Sequence, residues 1–126
     1  MDNVPKTVLL GEDESFLSNI LKVRLEGLGI NVIQAFDGRE ALEKLKSSKV
    51  DLVLMDIILP KMSGFEVIQS IKSDPQYQSL PIIIISNLGQ DSDVQKGMEL
   101  GATEYYVKAK VPIDELVNRI KNFLEK

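Results

Sequence analysis

The sequence predicts one α/β domain, a doubly wound, five-stranded parallel sheet with helices on both faces. Three observations carry this reading. Short apolar runs suited to strands alternate strictly with segments of helical spacing, five pairs in all. The third and fourth runs, Val50–Ile57 and Pro81–Ser86, are continuous rather than alternating, as strands buried on both faces are. No linker or internal repeat interrupts the 126 residues, a length at which one domain buries roughly two thirds of its unfolded surface. A single domain over residues 1–126 is expected, with no output domain beyond it.

Taken in order, Thr7–Leu10 is the first strand. A helix begins near Ser15, where Phe16, Ile20 and Val23, with Leu17, Leu21 and Leu28, form a wide apolar stripe. Gly27 and Gly29 suit its stop. Ile30–Ala35 and Arg39–Lys46 make the second pair, Val50–Ile57 and Gly64–Lys72 the third, Pro81–Ser86 and Val94–Leu100 the fourth. The weaker strand Glu104–Lys108 precedes the last helix, Pro112–Leu124. There Pro112 suits the first turn, and Asp114 and Glu115 lie near the positive end of the helix dipole.

Composition narrows the chemistry. With 44% hydrophobic and 27% charged residues the chain reads as an ordinary soluble globular protein. No apolar stretch approaches the ~20 residues of a membrane span. Nothing at the start resembles a signal peptide. Without cysteine there are no disulfides and no thiol chemistry, which favours the cytoplasm. Without histidine the commonest general base and metal ligand is gone. The net charge of −4 argues against binding a nucleic-acid backbone through a broad basic face. Carboxylates, hydroxyls and lysines are what remain.

In such sheets functional groups gather where strands end at their carboxyl edge. The first strand is followed by Glu12 and Asp13, while Asp56, Ser86 and Lys108 stand at the ends of the third, fourth and fifth. Taken singly, each has an ordinary reading. Acidic residues suit the next helix N-terminus, a serine before Asn87 and Gly89 suits a turn, and a lysine suits a solvated surface. Asp56 is the hardest to dismiss, because four apolar residues precede it and three follow, and an ionised carboxylate out of water costs several kcal/mol unless paired. The coincidence at all four exits points to one site. It is not a nucleotide site: Gly11-Glu12-Asp13-Glu14 follows the first strand in place of a glycine-rich phosphate loop.

Five motifs in order resemble one family across essentially the whole chain: the acidic pair Glu12–Asp13, "FDGREAL" after the second strand, "DIILPKMSGFE" headed by Asp56, "PIIIIS" ending in Ser86, and "GATEYYVK" ending in Lys108. They resemble the receiver domain of two-component response regulators in its single-domain, chemotaxis-regulator-like form. The resemblance implies a flavodoxin-like (βα)5 fold with strand order 2-1-3-4-5. Three clustered carboxylates repel by about 4 kcal/mol per pair at ~4 Å and an effective dielectric of 20. A cation with oxygen ligands relieves this, and Mg²⁺ is the natural choice, with Mn²⁺ as a substitute. By resemblance Asp13 and Asp56 bind the metal directly, Glu12 acts through water, and the carbonyl of Ile58 is the third protein ligand. Asp56 is then the phosphoacceptor, Lys108 neutralises the transferring group, and Ser86 and Asn87 adjoin the phosphoryl position. Ser86 and Tyr105 form the switch, with Tyr106 as its neighbour.

The resemblance also implies partners: a sensor histidine kinase or histidine phosphotransfer protein docking at the first helix, and a target protein at the surface of the fourth helix, fifth strand and fifth helix. No direct nucleic-acid contact and no membrane are expected. A monomer is expected, with dimerisation through the fourth and fifth helices an option for the phosphorylated form. Four residues depart from the family's usual pattern. Ala109 follows Lys108 where a cis proline is usual, which puts the reach of Lys108 in question. Asn87 replaces a small residue, and neither Ile58 nor Leu88 can hydrogen-bond a water, so slow self-dephosphorylation is expected. Two competing readings are a receiver that docks partners without phosphorylation and a metal-dependent phosphatase with an aspartyl nucleophile. Against the latter, Ile58 stands where a second acid is needed.

Overall fold

All five apolar runs join one parallel sheet in the computed structural model, which describes residues 4–125; Met1–Asn3 and Lys126, the ends of the expected domain, lie outside the described residues. The strands are β1 (Thr7–Gly11), β2 (Asn31–Ala35), β3 (Leu52–Met55), β4 (Ile82–Ser86) and β5 (Glu104–Val107). The helices that follow them are α1 (Ser15–Glu26), α2 (Gly38–Lys46), α3 (Gly64–Lys72), α4 (Asp91–Glu99) and α5 (Ile113–Leu124). Strand order is β2-β1-β3-β4-β5, the order the family resemblance implied. No helix among the described residues is long and apolar enough to cross a membrane.

The continuous apolar runs are explained by two cores, one on each face. Successive strand residues point to opposite sides. Val8, Leu10, Leu54, Ile83 and Ile85 therefore pack with Leu21 and Leu25 of α1 and with Leu116, Val117 and Ile120 of α5. Leu9, Val53, Met55, Ile82 and Ile84 pack on the other side with Ala41 and Leu45 of α2 and Val67, Ile68 and Ile71 of α3. α4 differs from the rest: its one fully buried residue is Gly97.

Several expected boundaries shift, each for a local reason. The third strand, expected over Val50–Ile57, pairs only over Leu52–Met55. Asp51 uses its carboxylate to accept the Thr7 N–H at 2.8 Å, and at the other end the Asp56 N–H makes the last bond to β1, at the Gly11 carbonyl. The fourth helix starts three residues early, at Asp91, because Gln90 and Asp93 cap one another across its first turn. Pro112 is the N-cap of α5 with extended ψ of 150°, not a residue of its first turn. Two 3₁₀ turns, Pro75–Tyr77 and Lys108–Lys110, were not expected.

The stripe expected on the first helix holds only in part, since Leu21 is buried and Leu17 packs against the same core while other members turn out. Phe16 is 77% and Val23 68% exposed, and Leu28 is exposed as well. The face turned to the sheet is Ser18, Leu21 and Leu25, where the buried Ser18 accepts a hydrogen bond from Gln34 of β2 at 2.9 Å. Leu17, Leu21 and Leu25 cover the sheet, and Phe16, Val23 and Leu28 are left facing water.

Candidate functional site

Pairing register places the site residues side by side before any side chain is considered. Gly11 of β1 pairs with Met55 of β3, so Glu12 and Asp56, each one step further, leave adjacent strands together. Likewise Ser86 of β4 pairs with Val107 of β5, and Lys108 follows. Backbone hydrogen bonds hold both exits: Asp56 N–H donates to the Gly11 carbonyl at 2.8 Å, and Glu12 N–H to the Ala35 carbonyl at 3.0 Å.

Side chains then converge. Carboxylate oxygens of Glu12, Asp13 and Asp56 lie within 4.8 Å of one another, with Glu12 and Asp56 buried and Asp13 exposed. Lys108 Nζ reaches across from the end of β5, 2.8 Å from Asp56 Oδ2 and 2.6 Å from Glu12 Oε1. The Lys108–Ala109 bond is trans, as are all peptide bonds among the described residues, and the 3₁₀ turn at Lys108–Lys110 still delivers the ammonium. The reach questioned on account of Ala109 is therefore retained.

Electrostatics follow from burial and these contacts. Burial pushes the Glu12 carboxyl above its ordinary value, the Asp56 charge adds to this, and Lys108 and the Glu14 N–H oppose it. Burial alone would pull Lys108 down. Its hydrogen bonds and Coulombic attraction to Asp56 and Glu12 outweigh that and hold it above its ordinary value. Glu12 Oε1 is fully buried, with the Lys108 ammonium 2.6 Å away as its counter-ion. Three converging carboxylates with no imidazole or thiolate among them are a donor set that fits a hard divalent cation. Ile58 N–H donates to Asp56 Oδ1 at 3.2 Å, tying the residue expected to supply a carbonyl ligand to the Asp56 carboxylate.

Ser86 and Tyr105 meet at one residue. The fully buried Ser86 Oγ accepts the Leu88 N–H at 3.2 Å, and the Tyr105 hydroxyl donates to the Leu88 carbonyl. Burial, then the Asp93 charge, raises the Tyr105 hydroxyl above its ordinary pKa. Asn87 lies between them in sequence and is exposed. Tyr106 points the other way, donating to Glu104 and lying under the Arg119 guanidinium at 5.4 Å.

Glycines were missed as site builders. A Cβ on Gly64 would lie 2.1 Å from the Asp56 carbonyl oxygen, so only glycine lets α3 start against the Asp56 backbone. A Cβ on Gly97 would lie 2.7 Å from Ile84 Cδ1 and 3.0 Å from the Tyr105 ring. For Gly97 the available signal was glycine in a helix interior, a position it fills at a cost unless packing requires it. Gly64 opens its helix and gave no such signal.

An acidic cluster with one lysine at the carboxyl edge of a 2-1-3-4-5 parallel sheet defines a class of signalling domain, and comparison with known proteins agrees. Residues 8–121 match the family described as the response regulator receiver domain, and the chain belongs to it. A protein named probable transcriptional regulator ycf27, from Guillardia theta, is 40% identical over 119 residues, which span 94% of this chain and 45% of that one. The alkaline phosphatase synthesis transcriptional regulatory protein PhoP of Bacillus subtilis (strain 168) is 36% identical over 96% of this chain and 49% of its own. Among solved structures, a putative response regulator from Chloroflexus aurantiacus J-10-fl superposes with a TM-score of 0.87 at 31% identity, covering 98% of this chain and 100% of that one. Vibrio cholerae chemotaxis protein CheY4 does so with a TM-score of 0.86 at 28% identity, covering 94% and 98%.

The chain spans about half the length of the curated relatives it matches. Those relatives are named transcriptional regulators, so the expected exclusion of nucleic acid is not carried over to the function of a whole protein.

Proposed function

We propose that the chain is the phosphoacceptor of a two-component system or phosphorelay, with Asp56 taking a phosphoryl group from a phosphohistidine on a sensor kinase or histidine phosphotransfer protein. One observation carries this reading: Asp56 is buried at a strand exit, within 4.8 Å of two other carboxylates and 2.8 Å from a lysine that neutralises it. Asp13, Asp56, the Ile58 carbonyl and, through water, Glu12 are the groups to hold Mg²⁺. The bound ion supplies positive charge against the carboxylates and the transferring group.

The steps taken by the chain itself are few. An Asp56 carboxylate oxygen forms the new P–O bond while the P–N bond to the partner's imidazole breaks, and the imidazole nitrogen leaves with the electron pair. Lys108 exchanges part of its contact with Asp56 for the phosphoryl oxygens. Ser86 gives up the Leu88 N–H and turns its hydroxyl to the new anion. A hydrogen bond to a charged group is worth ~1.5–3 kcal/mol, enough to repopulate a two-state loop. Since Tyr105 holds the same Leu88 residue, the change passes to β5 and to the α4-β5-α5 surface, where a target protein binds. The exposed Phe16 and Val23 of α1, beside the site, suit the docking helix for the phosphodonor. The absence of cysteine from the sequence fits a cytoplasmic setting.

Intact mass after incubation with a small phosphodonor, with and without Mg²⁺, tests the proposal beside an Asp56→Asn control. A Mg²⁺-dependent gain of one phosphoryl group, absent in the control, is the expected result. No gain with either the small donor or a cognate kinase would favour a docking module that works without phosphorylation. Turnover of a phosphomonoester would instead favour the phosphatase reading.

A further inference from the structure

The "FDGREAL" segment marks the chain's family resemblance, yet none of its residues is among the converging side chains. The structure gives it another place. After β2, Asp37 caps α2 by accepting the Glu40 N–H at 2.7 Å, and Glu40 returns a carboxylate to the Phe36 N–H at 2.7 Å. This closed turn lies against the loop that leads from Asp56 to α3. Gly38 N–H donates to the Pro60 carbonyl at 3.2 Å. A Cβ on Gly38 would stand 2.0 Å from the Met62 carbonyl oxygen, inside any permitted contact. Asp37 Oδ2 lies 3.5 Å from Lys61 Nζ.

The segment so held is the one that needs holding. Lys61 has φ of 67°, the only positive φ outside glycine among the described residues, and Met62 N–H closes a three-residue turn onto Pro60. A side chain in that region persists only where neighbours over-determine it. From the other side, Gly64 N–H donates to the Ile57 carbonyl at 2.8 Å and α3 abuts the Asp56 carbonyl. The chain from Ile58 to Met62 is thus gripped at both ends, by α3 behind Asp56 and by the β2–α2 turn at Pro60, Lys61 and Met62.

We propose that the Asp37–Gly38 turn positions the loop after Asp56 for its metal, with Gly38 setting the place of the Ile58 carbonyl by close approach to Pro60 and Met62. This rests on the phosphoacceptor reading, because the loop matters in this way only if it ligates Mg²⁺. Asp37 and Gly38 are positioning residues and touch neither metal nor phosphoryl group. Residues that orient metal ligands from outside typically change metal affinity about 10- to 100-fold when altered. Coupling is reciprocal in binding free energy, so a turn that raises Mg²⁺ affinity must itself be stabilised by Mg²⁺ to the same factor.

The test is Mg²⁺ affinity by calorimetric titration on wild type, Gly38→Ala and Ile120→Val. The last loses stability in the opposite core, away from the loop. Gly38→Ala is expected to weaken Mg²⁺ about ten-fold, while Ile120→Val leaves it unchanged. Amide exchange on the wild type gives an independent readout needing no variant: Mg²⁺ should slow exchange at Gly38, whose N–H bonds Pro60, by more than it slows Glu43 on the same helix. Folded Gly38→Ala with wild-type affinity, or Gly38 exchange slowed by Mg²⁺ no more than that of Glu43, overturns the proposal while leaving the phosphoacceptor reading intact. A wild type that does not bind Mg²⁺ overturns both.

Discussion

Lys108 Nζ lies 2.8 Å from Asp56 Oδ2, bridging from the edge strand to a carboxylate that is only 5% exposed. The same ammonium stands 2.6 Å from the fully buried Glu12. Without Mg²⁺ this one cation is what keeps two buried carboxylates tolerable.

Lys108→Ala is therefore expected to destabilise the metal-free protein by about 3 kcal/mol at neutral pH, the usual cost of stripping a buried pair of one partner. The sign of the pH dependence follows from Glu12. Its folded pKa is raised, so its charged form penalises the fold above that pKa and not below the ordinary value of 4.5. Losing Lys108 removes one of the contacts that hold Glu12 down, which moves the window upward. The deficit should shrink as pH falls from neutrality into the acid range. Urea unfolding of both proteins at two pH values checks it, and equal deficits would mean that Lys108 stabilises something other than these carboxylates.

Asp13→Asn relieves repulsion in the cluster while leaving the Lys108 contacts alone. The unfolding midpoint of the metal-free variant should rise by about 2–4 °C. In wild type Mg²⁺ should raise the midpoint further, and in the variant this increment should largely vanish. Thermal unfolding with and without Mg²⁺ measures both, and a lower metal-free midpoint for the variant would remove repulsion as the explanation.

Ile58 is 58% exposed beside Asp56 and cannot hold a water for attack on the phosphoryl group. The phosphorylated protein should lose its phosphoryl group over many minutes, and Ile58→Asn should shorten that half-life several-fold. Mass spectrometry after donor removal reads both. A wild-type half-life of seconds would show that another group positions the water.

Gly97→Ala pits about 1 kcal/mol of improved helix propensity against overpacking of about 1–3 kcal/mol. Because the new methyl would sit 2.7 Å from Ile84 Cδ1 and 3.0 Å from the Tyr105 ring, overpacking should win and the ring should swing outward. Denaturant unfolding and loss of ring contacts between Tyr105 and Ile84 by NMR check this. A variant more stable than wild type would show that α4 has room to retreat.

Sequence made the sheet and the converging carboxylates legible, because continuous apolar runs and polar residues at their ends are local in the chain. Asp56 in particular stood out against its Leu and Ile neighbours. Which edge of the wide apolar stripe on α1 turns inward was not legible. Leu21 and Leu25 face the sheet beside buried Ser18, which accepts a hydrogen bond from Gln34 of the next strand. The grip of Gly38 and Gly64 on the loop after Asp56 was also hidden, since a glycine is silent until the backbone it nearly touches is in place. The same holds for Leu88, whose two backbone groups serve Ser86 and Tyr105 regardless of its side chain.

With only Gly97 buried, α4 contributes almost no apolar anchor to either core. Proteins open in segments whose free energies range from near zero to the global value, and weakly anchored segments open first. Deuterium uptake should therefore be fastest in α4 among the five helices and slowest in β3 and β4, whose side chains are all buried. Were Asp56 to carry a phosphoryl group, a helix so lightly anchored would let the surface change while the sheet beneath keeps its full protection.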